Sequence, residues 1–424
     1  MNSFENLSLC PAVLKAVRAE NYVVPTPIQA KAIPLVLSGR DVLGIAKTGT
    51  GKTAAFALPI LEQLITRQTS ARPRLPCALI LAPTRELANQ IAGDLRNYGR
   101  YSKISALAVY GGVGMGAQIR ALAGGVDIVV ATPGRLIDLL NRKAISLSKV
   151  EILVLDEADR MLDMGFIRDI RHIAACLPKK RQNLFFSATM PREIERLVSD
   201  LLINPAKVEV TPAASTVELI HQQVLYVGTS GKVAALAALL DPGSYSRALV
   251  FARTKHGADR LAKQMARLGF QVGVLHGNKS QKQRETTLEG FRLGRTQILV
   301  ATDIAARGID IDDISHVINF DVPNVAETYV HRIGRTARAG AAGLAITLCS
   351  AEEKQHLRGI ERLTGTSLSI IELSGATAVN IREDLSAKRM TYTRRPQTPR
   401  KRRGNNRLAH ANTPSRASYH RKVS

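Results

Sequence analysis

Ala46-Lys-Thr-Gly-Thr-Gly-Lys-Thr53 is the stretch on which the fold turns. Before it, Asp41-Val-Leu-Gly-Ile45 reads as a short buried strand; after it, Thr53-Ala-Ala-Phe-Ala-Leu58 opens a helix. A strand that passes abruptly into a helix through glycine-rich backbone leaves several peptide N–H groups pointing into one small space. With the positive end of the helix dipole they form a socket for phosphate. Thr48, Gly49, Thr50 and Gly51 supply that backbone, Lys52 is placed to reach outer phosphates, and the Thr53 hydroxyl can ligate Mg²⁺. The pattern G-x-x-x-x-G-K-[ST] is met except at its first glycine, where Ala46 stands. A plain glycine turn can be spelled the same way, and only the rest of the chain separates the two.

The 424 residues are too many for one ordinary core, so two or more domains are expected. No apolar run approaches the length of a membrane span. Met1-Asn-Ser-Phe-Glu-Asn6 lacks the cationic start and apolar stretch of a secretion signal. Cys10, Cys77, Cys176 and Cys349 are scattered, with no pair at metal-ligand spacing, as in thiols of a reducing cytosol. The expectation is a cytoplasmic protein without a membrane partner. Net charge is +24, and twelve Lys and Arg between Ala387 and Ser424, with no Asp or Glu, carry half of it. Such a balance favours a polyanion through counterion release. A solvated solubility tail is the bland alternative.

Residues 1–208 alternate strand and helix. Cys77-Ala-Leu-Ile-Leu-Ala82, Asp127-Ile-Val-Val-Ala131 and Glu151-Ile-Leu-Val-Leu155 are short apolar runs without polar alternation, as in strands buried on both faces. Arg85–Tyr98 and Gly165–Cys176 read as helices, and Pro59 predicts a break or kink in the helix that Lys52 opens. This is the rhythm of a parallel sheet covered by helices. Periodicity fades at 209–217, a linker, then resumes through strands at Gln222–Val227, Arg247–Ala252, Gln271–Leu275, Gln297–Val300 and His316–Phe320. A second α/β domain therefore spans 218–375. Residues 376–424 lose large apolar side chains and cannot bury enough surface to fold alone. No sequence repeat relates the two halves.

Val154-Leu-Asp-Glu-Ala-Asp159 places acids immediately after a buried strand, where open parallel sheets bind ligands. Asp156 there can hold the Mg²⁺ that Thr53 touches, and Glu157 can polarise a water for attack on a terminal phosphate. Helix-capping acids would look alike in isolation. Pro25-Thr-Pro-Ile-Gln29 offers an amide with donor and acceptor together, suited to the paired edge of adenine. Phe4 and Tyr22 can stack on the base; read without context they are core aromatics.

Together these residues resemble the DEAD-box RNA helicases, a family named for the tetrapeptide Asp156-Glu-Ala-Asp159. Its other motifs follow in order: Pro83-Thr-Arg-Glu-Leu87, Gly111-Gly112, Thr132-Pro-Gly-Arg135, Ser187-Ala-Thr189, Leu249-Val-Phe-Ala252 and Gln281-x-x-Arg284. Ala301-Thr-Asp-Ile-Ala-Ala-Arg-Gly-Ile-Asp310 and His331-Arg-Ile-Gly-Arg-Thr-Ala-Arg338 complete the set. The wording Asp159-Arg-Met-Leu-Asp-Met-Gly-Phe166 and His276-Gly-Asn-Lys-Ser-Gln281 resembles the bacterial RhlE-type branch.

The resemblance implies an α/β fold of two tandem RecA-like parallel-sheet domains followed by a disordered basic tail. ATP with Mg²⁺ would lie between them and RNA across both. Tyr22 and Gln29, supported by Phe4, would favour adenine; Thr48 to Thr53 would hold phosphates; Gly308 and Asp310 would reach the nucleotide from the second domain. Arg335 and Arg338 would be arginine fingers, so that hydrolysis requires closure. RNA contacts are expected at Thr84, Arg85, Gly112, Thr132 and Arg135, then at Thr254, Gly277, Arg284 and Thr302. Hydroxyls, backbone N–H groups and Arg suit phosphates, and 2′-hydroxyls distinguish RNA from DNA. For each of these a helix cap or turn residue is the plain rival. Ser187 and Thr189 would couple hydrolysis to strand separation, and Asp159 and His331 would link the domains.

Three positions depart from the family. Asn21 stands where glycine is frequent, Ala46 replaces the first phosphate-loop glycine, and Ala337 replaces the glycine before the last arginine. Ala337 is expected to be helical and harmless. The activity implied is RNA-stimulated ATP hydrolysis coupled to local separation of short duplexes, with ribosomal precursors or RNA-decay machinery as partners. An RNA clamp with little need for turnover, or a DNA translocase, are the alternatives.

Overall fold

The computed structural model describes residues 3–47, 49–68, 71–210, 220–240, 245–306, 314–337 and 343–373. Thr48, Gly308, Asp310, Arg338, most of the expected linker and the basic tail lie outside the described residues.

Seven strands build the first sheet: β1 (Val42–Ile45), β2 (Ala78–Leu81), β3 (Ala106–Val109), β4 (Ile128–Ala131), β5 (Ile152–Leu155), β6 (Gln182–Ser187) and β7 (Ala206–Glu209). Seven more build the second: β8 (Ile220–Tyr226), β9 (Ala248–Phe251), β10 (Val272–Leu275), β11 (Ile298–Ala301), β12 (His316–Asn319), β13 (Gly343–Cys349) and β14 (Ser369–Ile370). The orders are β3-β4-β2-β5-β6-β1-β7 and β10-β11-β9-β12-β13-β8-β14, and the strand pairings are parallel in both. Counting from its own first strand, each sheet has the same order, so the halves repeat in topology although not in sequence. Both are RecA-like.

The strands are apolar throughout because helices cover both faces. In β2, Ala78 and Ile80 enter one core layer while Leu79 and Leu81 enter the opposite one. Helix Arg85–Tyr98 has the bounds its sequence predicts. Helix Lys52–Thr66 runs on through Pro59 without a break. Ala54 to Leu61 are all buried, and this envelopment holds the helix against a cost of about 3 kcal/mol for an internal proline. Among the described residues no helix is long and apolar enough to cross a membrane.

The arrangement sets the chemistry at one edge of each sheet. The phosphate-loop stretch, Thr84, Thr132, Asp156 and Ser187–Thr189 all sit at or just beyond the carboxyl ends of β1, β2, β4, β5 and β6. Thr254, Gly277 and Thr302 follow β9, β10 and β11 in the same way.

Candidate nucleotide site and interdomain cleft

Gly49 and Gly51 have φ of 82° and 89°, conformations that glycine adopts freely. A Cβ at Gly51 would also collide with the Gln29 side chain. Thr50 Oγ1 donates to the Lys47 carbonyl at 2.7 Å, tightening the turn. Lys52, the first residue of its helix, is 6% exposed, and its Nζ has no hydrogen-bond partner. A buried ammonium without a partner is costly unless an anion joins it. Gln29 Oε1 accepts from the Thr26 N–H at 2.9 Å, and its Nε2 donates to the Gly51 carbonyl at 3.2 Å. Those bonds use one lone pair and one proton of an amide that has two of each. Tyr22 stacks on Phe4 with centroids 6.3 Å apart, and its hydroxyl lies 3.0 Å from that of Tyr98. Asn21, at φ 60°, occupies the left-handed region that asparagine tolerates, which explains how it replaces glycine.

Asp156 and Glu157 are 3% and 4% exposed. Burial pushes the Asp156 carboxyl up to about 7; Lys52 opposes that shift and Glu157 adds to it. The Asp156 carboxylate and the Thr53 hydroxyl are hard oxygen donors of the kind Mg²⁺ takes. Glu157 has φ 52° and ψ 51°, a strained backbone for a non-glycine residue. Its Oε2 accepts from an Arg160 guanidinium N–H at 2.6 Å.

Asp159 joins two motifs. Its Oδ2 accepts from the backbone N–H groups of Ala188 (3.2 Å) and Thr189 (2.9 Å) and from the Thr189 hydroxyl (2.9 Å). Ser187 Oγ in turn accepts from the Asp159 N–H at 3.3 Å.

Across the cleft, Arg160 and Asp163 of the first lobe line a cavity with Phe251, Asp303, His331, Arg332 and Arg335 of the second. Arg335 is 4% exposed. Burial, then Arg160, pushes the His331 imidazole below its usual value, against the pull of Asp159 and Asp163. The structure thus brings Asp159 and His331 into one electrostatic field. Arg332 is clamped by Asp303 at 2.5 and 2.8 Å and lies over the Phe251 ring.

Several residues expected to meet RNA also hold the protein itself. Thr84 and Thr254 cap helices, accepting from Leu87 N–H (3.2 Å) and Gly257 N–H (2.9 Å). Arg135 donates to the Val113 carbonyl and to Gln118 Oε1. Arg85 lies against Gly112, whose φ of 83° and lack of a side chain allow that approach. Arg284 donates to Glu86 across the cleft at 2.8 Å. Thr132 and Thr302 are buried at strand ends, and Gly277 lies near Lys255.

Ala337 corrects an expectation. It is not helical but left-handed, with φ 55°, and is buried. The chain turns there, just beyond Thr336, whose hydroxyl donates to the Ile314 carbonyl. Arg160, Glu86, Asp303 and Arg332 all stand inside the quoted motifs, yet the sequence assigns them no role, because their partners are set by the fold.

A family profile described as DEAD/DEAH box helicase matches residues 26–197, and one described as Helicase conserved C-terminal domain matches residues 231–340. The DEAD-box ATP-dependent RNA helicase CshA of Bacillus subtilis is 44% identical over 362 residues, 85% of this chain and 72% of that one. Among solved structures, Saccharomyces cerevisiae Dbp5 bound to RNA and ADP BeF3 aligns with a TM-score of 0.77 at 31% identity, over 92% of this chain and 99% of that one. The DEAD-box helicase Mss116 bound to ssRNA and UDP-BeF aligns with a TM-score of 0.78 at 29% identity, over 90% and 82%.

Proposed function

This chain belongs to the DEAD-box ATP-dependent RNA helicases, and from that premise we propose that it separates short RNA duplexes locally and non-processively. The observation that carries the proposal is the cleft in which Arg160 and Asp163, beside the Asp156–Asp159 motif, face His331 and Arg335 of the other lobe, with Lys52 Nζ buried and without a hydrogen-bond partner in the phosphate loop.

In this reading Tyr22 stacks on adenine with Phe4 behind it, and Gln29 spends its remaining proton and lone pair on the base. Thr48 to Thr53 cradle the phosphates. Thr53 and Asp156 hold Mg²⁺, which when bound neutralises charge on the phosphate oxygens. Glu157 orients a water whose oxygen bonds to the terminal phosphorus as the bond to the ADP oxygen breaks; the water's proton passes to the phosphate released, and ADP and phosphate leave. Arg335 and Arg338 neutralise the charge that develops, while Gly308 and Asp310 complete the nucleotide site. Because these residues come from the second lobe, hydrolysis waits for closure.

RNA lies across Thr84, Arg85, Gly112, Thr132 and Arg135, and across Thr254, Gly277, Arg284 and Thr302, held by its backbone and not read by sequence. Arg284 must then exchange Glu86 for RNA or serve both. Asp159, Ser187, Thr189 and His331 transmit closure to the bound strand, which follows a path its complement cannot share. Domain limits of 1–208 and 218–375, joined by 209–217, fit this use. The tail from 376 tethers RNA through charge. The motif wording supports an RhlE-type branch, and the scattered cysteines a cytoplasmic role, with ribosomal precursors and RNAs entering decay as the two candidate substrates. Sequencing RNAs crosslinked in cells separates those two substrates.

The test is strand separation by Glu157→Gln with ATP. One round of binding without turnover is expected. Separation sustained over many cycles without hydrolysis would instead favour a clamp.

A further inference from the structure

We infer that Arg160 is a positioning residue for ATP hydrolysis: it holds the Glu157 carboxylate by one oxygen and so fixes the direction in which that carboxylate faces its water. The inference rests on the proposed role of Glu157.

Glu157 has three side-chain torsions to fix and a left-handed backbone. Something must hold it. Arg160, one turn along the short helix Ala158–Asp163, reaches back to Glu157 Oε2 at 2.6 Å, and both side chains are at least nine-tenths buried. Arg160 is itself anchored. Its backbone N–H donates to Asp159 Oδ1 at 3.0 Å and to the Glu157 carbonyl at 3.0 Å. Asp159 Oδ2 is in turn fixed by Ala188 and Thr189. A continuous set of bonds therefore runs from the Ser187–Thr189 segment through Asp159 and Arg160 to Glu157. Arg160 also lines the cleft cavity opposite His331 and Arg335. Arg160 thus stands between the Ser187–Thr189 segment, the opposite lobe and Glu157.

The experiment compares full-length wild type with Arg160→Ala, Arg160→Lys, Glu157→Gln and Glu157→Gln/Arg160→Ala. RNA-stimulated kcat, KM for ATP and binding of a fluorescent ATP analogue are measured for each. Misdirecting a catalytic group by about an ångström costs on the order of 100-fold in rate. Arg160→Ala should therefore lose about 10- to 100-fold in kcat with KM within twofold. Arg160→Lys, which keeps the charge but not the fork, should fall between. In the Glu157→Gln background, Arg160→Ala should change the residual rate less than twofold, because it acts through a group already removed. Millimolar guanidinium should restore part of the Arg160→Ala rate, and sodium at equal ionic strength should not. A merely structural residue would show no such rescue.

Unchanged or raised kcat in Arg160→Ala, or a full multiplicative loss in the double variant, overturns the inference. If Arg160→Ala does not bind the analogue, Arg160→Lys decides: a wild-type kcat in it overturns the inference, and a partial loss supports it. Glu157→Gln at wild-type rate defeats the role of Glu157 itself. Inactive Glu157→Gln beside fully active Arg160→Ala defeats only the inference.

Discussion

Changing Glu86 to Gln should open the cleft. Glu86 and Arg284 meet across the two lobes at 2.8 Å, with 9% and 11% of their side chains exposed. Removing one partner of a buried pair costs about 3–5 kcal/mol, chiefly because the remaining charge is left desolvated. When the lobes part, Arg284 returns to water and that penalty disappears, so the cost falls on closure and not on folding. Taking the lower limit, about 3 kcal/mol shifts the closing equilibrium on the order of 100-fold. Dyes on an exposed position of each lobe would report the closed fraction by energy transfer before RNA is added, when Glu86 is the partner Arg284 has across the cleft. The ratio of closed to open protein should fall roughly 100-fold in Glu86→Gln, by that same figure. Glu86→Gln/Arg284→Gln should recover most of the loss, since a pair of neutral amides leaves no stranded charge. A wild-type closed fraction in the single variant would refute the reasoning. So would a double variant as impaired as the two singles combined.

Ala337→Gly should stabilise the second lobe by about 0.5–1 kcal/mol, the left-handed penalty of alanine less the added entropy of glycine in the unfolded chain, read from urea unfolding. Burial pushes the Glu353 carboxyl up, but Lys232 at 2.6 Å, the Ser350 N–H and Arg253 more than offset it, and the group sits below its usual value. Its contribution to stability is therefore complete above the unfolded value near 4.5 and lost as pH falls through the lower folded one. Lys232→Met should reduce stability by about 3–5 kcal/mol at pH 7 and flatten the acid limb of the stability–pH curve. Tyr98→Phe removes the hydroxyl beside that of Tyr22 and should raise KM for ATP about fivefold with kcat intact, worth one hydrogen bond of about 1 kcal/mol.

The parts legible in sequence are those where one local rule decides. The apolar runs of β2, β4 and β5 can only be strands covered on both faces, and Thr84 before Arg85-Glu-Leu marks a helix start. β6 has no such local rule, because it opens on Gln182 and Asn183, which look like surface residues. They are buried because Asn183 Nδ2 donates to Asp41 and Gln182 Nε2 to the Val36 and Arg40 carbonyls, partners about 140 residues away in the chain. Ala337 misled for the opposite reason: alanine is a good helix former, and only the turn after Thr336 forces its φ positive. The helicase motifs were readable as a set, but what holds them was not. Glu86 finding Arg284, and Arg332 finding Asp303, depend on a fold that no spacing encodes.

The central claim is that a triphosphate held by Lys52 in one lobe is cleaved only when Arg335 arrives from the other. Steady-state ATP hydrolysis with and without long RNA, for wild type, Lys52→Ala and Arg335→Ala, tests it most directly. Hydrolysis should require RNA and be lost in each variant, with Arg335→Ala still binding ATP. Wild-type turnover in Arg335→Ala, or turnover by wild type that ignores RNA, would contradict it.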